Sequence, residues 1–190
     1  MRCETLAIPD AKLLVPNRHG DERGYFVESY NRNTLAAAGI TDDFVQDDES
    51  LSTSAGTVRG MHCQIDPMQQ AKLVRVLRGR ILDIIVDLRV GSPSFGRHVA
   101  VELTAEKGEQ LYVPRGFAHG FCTLTQETVV FYKKTAFWNL DLEVGVRWND
   151  PALALPWPVT ETEAIVSAKD RELPLLADLP QHFAFEQVSA

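Results

Sequence analysis

Between residues 72 and 133 the chain is a succession of short Val-, Ile- and Leu-rich runs, cut off by glycine or proline. Lys72 to Arg78 and Arg80 to Leu88 are separated by Gly79; Val99 to Leu103, Gln110 to Val113 and Val129 to Lys133 continue the series. Gly91-Ser92-Pro93, Lys107-Gly108 and Pro114-Arg115-Gly116 punctuate it. Glycine supplies turn dihedrals and proline removes a ladder donor, so the runs cannot fuse into longer elements. Runs this short, at a spacing of roughly 8 to 12 residues, are expected of an antiparallel sandwich or barrel. In Arg80 to Leu88, Ile81, Asp83, Ile85 and Asp87 alternate with Leu82, Ile84, Val86 and Leu88. One parity is apolar and the other mixed, which predicts a half-buried strand. Residues 33–39 (NTLAAAG) read as a short helix with a glycine stop. Beyond Trp148 the chain is proline-dense, with Pro151, Pro156, Pro158, Pro174 and Pro180. That region is expected to wrap the barrel as loops with short helical turns. No repeat or low-complexity linker interrupts the chain, so residues 1–190 read as one all-β domain with a few short peripheral helices.

With 190 residues, 45% of them hydrophobic, a single domain buries roughly 70% of its unfolded surface and needs no disulfide or structural metal. The net charge of −7 argues against nucleic acid as a partner, because duplex binding rests on basic surface. A small anionic ligand needs only a local basic pocket. Cys3, Cys63 and Cys122 form no CxxC pair and no zinc-like cluster, as expected of reduced thiols in a cytoplasmic protein. Residues 1–8 contain no run apolar enough for a signal peptide. The longest apolar-rich stretch, residues 81–90, is broken by Asp83, Asp87 and Arg89, well short of the roughly 20 residues that span a bilayer. A soluble protein without a membrane partner is expected.

Two glycine–histidine segments stand out. Residues 56–64 (GTVRGMHCQ) carry His62 and are followed by Lys72 and Gly79; residues 108–119 (GEQLYVPRGFAH) end on His119. Together they resemble the paired segments of the cupin superfamily, which implies a cupin-type antiparallel β-barrel, or jelly roll. Most cupins bind a divalent metal through three histidines and a glutamate. Here Gln64 stands where the second histidine would be, and Lys72 near where the glutamate would be. An ammonium has no lone pair to give and repels a cation, and two histidines alone make a poor site. No metal is expected. A lysine beside a histidine suits another task, holding negative charge that develops on an oxygen. His19, His98 and His182 lack such a context and read as surface residues.

A more specific resemblance runs through residues 21–28 (DERGYFVE), 45–47 with Ser50, 58–64, 71–76 (AKLVRV), 87–96 (DLRVGSPSFG), 114–121 (PRGFAHGF), 132–135 (YKKT), 143–151 (EVGVRWNDP) and 167–170 (SAKD). In this order they are similar to the dTDP-4-dehydrorhamnose 3,5-epimerases. The resemblance implies a dTDP-sugar nucleotide substrate carrying a 4-keto-6-deoxyhexose, no cofactor, and a homodimer in which an N-terminal strand joins the partner's sheet. It implies His62 as base, Asp170 as its orienting carboxylate, Lys72 as enolate clamp and Tyr132 as proton donor. Arg23 and Arg59 resemble the phosphate binders, with His119 on or beside the phosphate. Gln46, Asp48, Glu28, Glu143 and Lys169 match substrate-contact positions, and Phe26 and Trp138 are candidates for stacking on thymine.

The chain departs from the family at Cys63, at Asp48-Glu49 in place of Asn-His, at Leu51 and at Phe137-Trp138. Asp48 and Glu49 add negative charge near a diphosphate site, unfavourable unless they turn away or meet a sugar hydroxyl or the base. Arg59 and His62 are an odd number of residues apart, so in a regular strand they face opposite ways. For both to line one pocket, the backbone at Gly60 must bulge or bend. Three alternatives stay open from sequence: a C3- or C5-only epimerase, a non-catalytic sugar-nucleotide-binding cupin, and a metal-dependent cupin oxygenase or isomerase.

Overall fold

The computed structural model describes residues 1–185. The strands are β1 (Arg2–Thr5), β2 (Lys12–Val15), β3 (Arg18–Asp21), β4 (Gly24–Val27), β5 (Gln46–Ser52), β6 (Thr57–Gln64) and β7 (Lys72–Arg78). They continue with β8 (Arg80–Asp87), β9 (His98–Thr104), β10 (Gln110–Val113), β11 (Phe117–Thr123), β12 (Thr128–Lys134), β13 (Glu143–Gly145) and β14 (Ile165–Val166). Two short helices, α1 (Arg32–Ala37) and α2 (Ala168–Arg171), sit outside the sheets. One sheet runs β1-β2-β10-β7-β12-β5 and the other β13-β6-β11-β8-β9, with β14 parallel to β6 and β3–β4 a separate hairpin. This is the jelly-roll barrel expected of a cupin. Among the described residues no helix is long and apolar enough to cross a membrane.

The two inner faces meet in an apolar half and a polar half. Val74, Val76, Leu111 and Val130 from one sheet pack on Ile81, Ile85, Phe117 and Phe121 from the other. Each such side chain stabilises the fold by roughly 1.5–3 kcal/mol. Polar interior positions gather at the other end and contribute most of the site below.

β8 corrects the sequence reading. Both of its faces are covered, and Asp83 and Asp87 are fully buried. The apolar parity, Ile84, Val86 and Leu88, packs under Leu153 and Phe183 of the C-terminal wrap. Local alternation cannot reveal a cover that arrives some 70 residues later. On the other sheet, Leu35 of α1 and Ile40 cover Leu14, Leu73 and Tyr112. The Asn31 side chain caps α1 by accepting from the Asn33 and Thr34 N–H groups, and Gly39, with φ +82°, ends it.

Candidate active site

A cavity of about 550 Å³ opens at the polar end of the barrel, lined by Asp48, Arg59, His62, Lys72, His119, Tyr132, Glu143 and Asp170, among others. The β6–β11 register explains how Arg59 and His62 both reach it. Arg59 opposes Phe121 and His62 opposes His119, so Gly60 and Met61 on β6 face Gly120 alone. This is a bulge of two residues against one, and it flips the parity beyond it. Gly60 has φ +111°, and a Cβ there would lie 2.6 Å from both the Gly120 Cα and the His119 carbonyl. Only glycine satisfies both conditions. The irregularity expected at Gly60 is present.

His62 Nε2 lies 2.9 Å from Oδ1 of Asp170, whose Oδ2 accepts the Gly60 N–H at 3.2 Å. Asp170 sits in α2, whose Ser167 cap fixes its backbone. Burial pushes the Asp170 carboxyl up, but the His62 hydrogen bond and charge, with the Gly60 N–H, hold it below the usual range. An ionised carboxylate on Nε2 leaves Nδ1 as the basic nitrogen of the neutral ring.

Lys72 is buried, and its Nζ donates to the His62 carbonyl at 3.2 Å. Burial, and then the charge of Lys134, lower its pKa to about 8. The Tyr132 hydroxyl lies 3.1 Å from Ser50 Oγ, and burial raises its pKa, so the phenol keeps its proton through neutral pH. His119 is the cross-strand neighbour of His62 and sits edge-on to the Tyr132 ring. Its Nε2 lies 2.6 Å from Oδ1 of the fully buried Asp83. Burial lowers the His119 pKa, which favours the neutral ring.

At the rim, Gln46 donates to the Asp48 carboxylate at 2.9 Å and accepts the Trp138 N–H at 2.9 Å. The Trp138 indole N–H donates to Glu143 at 2.9 Å, and Lys169 bonds the other Glu143 oxygen. Burial pushes Glu143 up, yet those two partners hold it below its usual range. Arg59 donates to Ser52 Oγ and to the Leu51 carbonyl, which aims its guanidinium along the mouth. Asp48 and Glu49 both line the cavity: Asp48 pairs with Lys134 at 2.6 Å, and Glu49 is exposed at the mouth.

The residues do not fit the metal usual in cupins. The Gln64 amide is consumed by structure: Nε2 donates to the Met68 and Phe137 carbonyls and Oε1 accepts the Asn139 N–H. Lys72 points a cation where a ligand would be. Among the described residues no three His, Cys, Asp or Glu side chains converge on one point.

Gln46, Trp138 and Lys169 lie just outside the lining, tied to it by their bonds to Asp48 and Glu143, and three further candidates lie elsewhere. Arg23, Phe26 and Glu28 belong to or adjoin the β3–β4 hairpin and are absent from the lining of this cavity. The Arg23 side chain is 85% exposed and pairs with Asp21, Phe26 is 72% exposed, and Glu28 accepts from Asn31. Sequence reading missed Asp83, Ser50 and Lys134. Ser50 and Lys134 were within reach, since Ser50 lies two positions from Asp48 and Lys134 two from Tyr132 and directly across from Lys72; Asp83 lies opposite Phe121, and only the fold brings it to His119. Of the histidines read as surface, His19 is exposed, whereas His98 and His182 are half-buried.

The family model described as dTDP-4-dehydrorhamnose 3,5-epimerase matches residues 5–178. The chain is 45% identical to the dTDP-4-dehydrorhamnose 3,5-epimerase of Sinorhizobium fredii, over 99% of this chain and 96% of that protein. Its fold superposes with a TM-score of 0.89 on the crystal structure of dTDP-4-dehydrorhamnose 3,5-epimerase from Bacillus anthracis with TDP and PPi bound. Identity there is 50%, covering 92% of this chain and 98% of that one. The dTDP-6-deoxy-D-glucose-3,5-epimerase of Legionella pneumophila, solved with dTDP-4-keto-L-rhamnose, gives a TM-score of 0.92 at 38% identity over 97% and 98% of the two chains. With near-complete coverage in sequence and structure alike, the chain belongs to the dTDP-4-dehydrorhamnose 3,5-epimerase family.

Proposed function

We propose that the protein inverts C3 and C5 of a dTDP-linked 4-keto-6-deoxyhexose. The observation that carries this reading is an imidazole–carboxylate pair, a buried ammonium and a protonated phenol facing one cavity from different strands. The C4 ketone acidifies the neighbouring C–H bonds. His62 Nδ1 takes the proton from C3 or C5, and Asp170 stabilises the imidazolium. The bond's electron pair moves onto the ketone oxygen, giving an enolate that Lys72 holds by charge. Tyr132 then gives its O–H proton to the opposite face of the same carbon, which inverts it. Solvent reprotonates the phenolate and takes the proton from His62. Positioned acid and base groups contribute roughly 10²- to 10⁴-fold each.

Arg59 is read as a diphosphate contact through its planar fork, with His119 beside it. Gln46, Asp48, Glu143, Lys169 and Trp138 are read as the rim that holds sugar and base. Arg23, Phe26 and Glu28 are read as acting in the cavity of a second copy, so the working form is a homodimer. Their exposure on a two-stranded arm that does not reach their own cavity supports this. We place the enzyme in the cytoplasm, with neither nucleic acid nor membrane as partner.

Incubation with dTDP-4-keto-6-deoxyglucose in heavy water, followed by NMR, tests the reading. Deuterium at both C3 and C5 with formation of the L-sugar is expected. Label at one carbon alone would make the protein a single-carbon epimerase, and no label would leave a non-catalytic binder.

A further inference from the structure

Lys72 and Lys134 are directly opposed on β7 and β12, so their Cβ atoms are roughly 4.5–5.5 Å apart on one face. Lys134 also lines the cavity, and its side chain is only 14% exposed. Its neighbour Lys133 turns outward to Asp47. Two ammonium groups paired across strands in a half-enclosed site repel, and the fold tolerates this only with a counter-ion near. Asp48 is that counter-ion, 2.6 Å from Lys134 Nζ and held on its other side by both Gln46 contacts, at 2.9 and 3.0 Å.

We propose that Lys134 and Asp48 are positioning residues for Lys72, a cation and its counter-ion that together set how firmly Lys72 holds its proton at the reacting end of the cavity. The catalytic consequence rests on the epimerase reading; the charge coupling does not. Other groups face Lys72 as well. His62 and Cys63 come from β6, and Tyr132 from β12. Asp83 of β8, His119 of β11 and Glu143 of β13 complete the surroundings. Asp83 gives Oδ1 to His119 but keeps Oδ2 unpartnered among the described residues, and Glu143 is held by Lys169 and Trp138; both carboxylates favour the charged Lys72 and form the fixed background against which Lys134 and Asp48 act. Lys134 is the neighbouring ammonium whose charge Asp48 offsets.

The Lys72 side chain can be titrated by NMR in protein made with isotopically labelled lysine. Its signal is assigned by its loss in Lys72→Met. Lys134→Met removes a nearby positive charge and is expected to move the Lys72 midpoint up by about one pH unit. Asp48→Asn leaves Lys134 uncompensated and is expected to move it down. Lys134→Arg is expected to restore the wild-type midpoint. The alkaline limb of kcat/KM on the keto-sugar should follow the same three shifts. Midpoints that stay put, or that move the same way in both variants, overturn the proposal. Asp48→Asn is isosteric and keeps the test open should Lys134→Met fold poorly. If the NMR midpoints move while the wild-type protein turns over no keto-sugar, the coupling stands and the epimerase reading falls. If turnover is normal and the midpoints do not move, the reverse holds.

Discussion

Asp170 bridges the His62 ring and the backbone of the bulge: Oδ1 lies 2.9 Å from Nε2 and Oδ2 accepts the Gly60 N–H at 3.2 Å. One carboxylate therefore fixes the imidazole tautomer and pins the backbone turn that aims it. Asp170→Asn keeps the shape but offers a neutral amide to the ring, so the imidazolium loses its stabilising charge. Solvent deuterium entry into the keto-sugar is expected to slow by about 10²- to 10⁴-fold in Asp170→Asn and in His62→Asn. Thermal melting should change less in His62→Asn, because Asp170 retains Gly60. Wild-type exchange rates in His62→Asn would remove His62 from the mechanism.

How far this was legible in sequence depends on the kind of constraint. The β7 and β10 bounds, and most of β8, β9 and β12, follow from apolar runs and their glycine and proline stops. The polar β5, with its Asp-Asp-Glu-Ser core, gives no apolar signal. It is a strand because β12 pairs along its whole length. The bulge at Gly60 was legible because parity forbade any other way of bringing Arg59 and His62 together. The position of Arg23 and Phe26 was not, because a hairpin's reach is set by tertiary geometry rather than by its own sequence.

Lys72 places activity and stability in opposition. Burial is the main reason its pKa falls to about 8 from the ordinary 10.5 of a free lysine. Below about 8 the ammonium is charged and able to hold an enolate; above it the charge is lost, so kcat/KM is expected to fall on the alkaline side with a midpoint near 8. The stability sign is opposite. Between the two values the unfolded chain binds the proton that the folded chain has released, so this group's contribution to stability rises with pH. Lys72→Met removes a buried cation and is expected to raise Tm while abolishing deuterium entry. A lowered Tm in calorimetry would mean that the ammonium is better paired than its single hydrogen bond to the His62 carbonyl implies.

Gly60→Ala tests the bulge directly. The new Cβ would meet the Gly120 Cα and the His119 carbonyl at 2.6 Å, at a φ of +111°. Backbone strain and overpacking together are expected to cost on the order of 3 kcal/mol, read as a lowered denaturation midpoint with an unchanged m-value. Folded variant should also lose turnover out of proportion, since shifting the β6 register turns His62 away from the cavity. A variant as stable and active as wild type would show that the two-against-one register is not needed.

The β3–β4 hairpin gives the proposed homodimer a test that does not depend on measuring mass alone. If Arg23 and Phe26 serve the partner's cavity, a chain with His62→Asn still donates a good arm, and a chain with Arg23→Ala still offers a good barrel. Each variant alone is expected to be impaired. Co-expressed in equal amounts, half of the dimers are mixed, and each mixed dimer has one intact site and one doubly damaged site. Activity is therefore expected to recover to about a quarter of the wild-type value per chain, the statistical share for a two-fold assembly. Sedimentation should show a dimer in all three samples. Recovery absent despite mixed dimers would mean that Arg23 acts, if at all, within its own chain, and the exposed Phe26 would then need a different explanation.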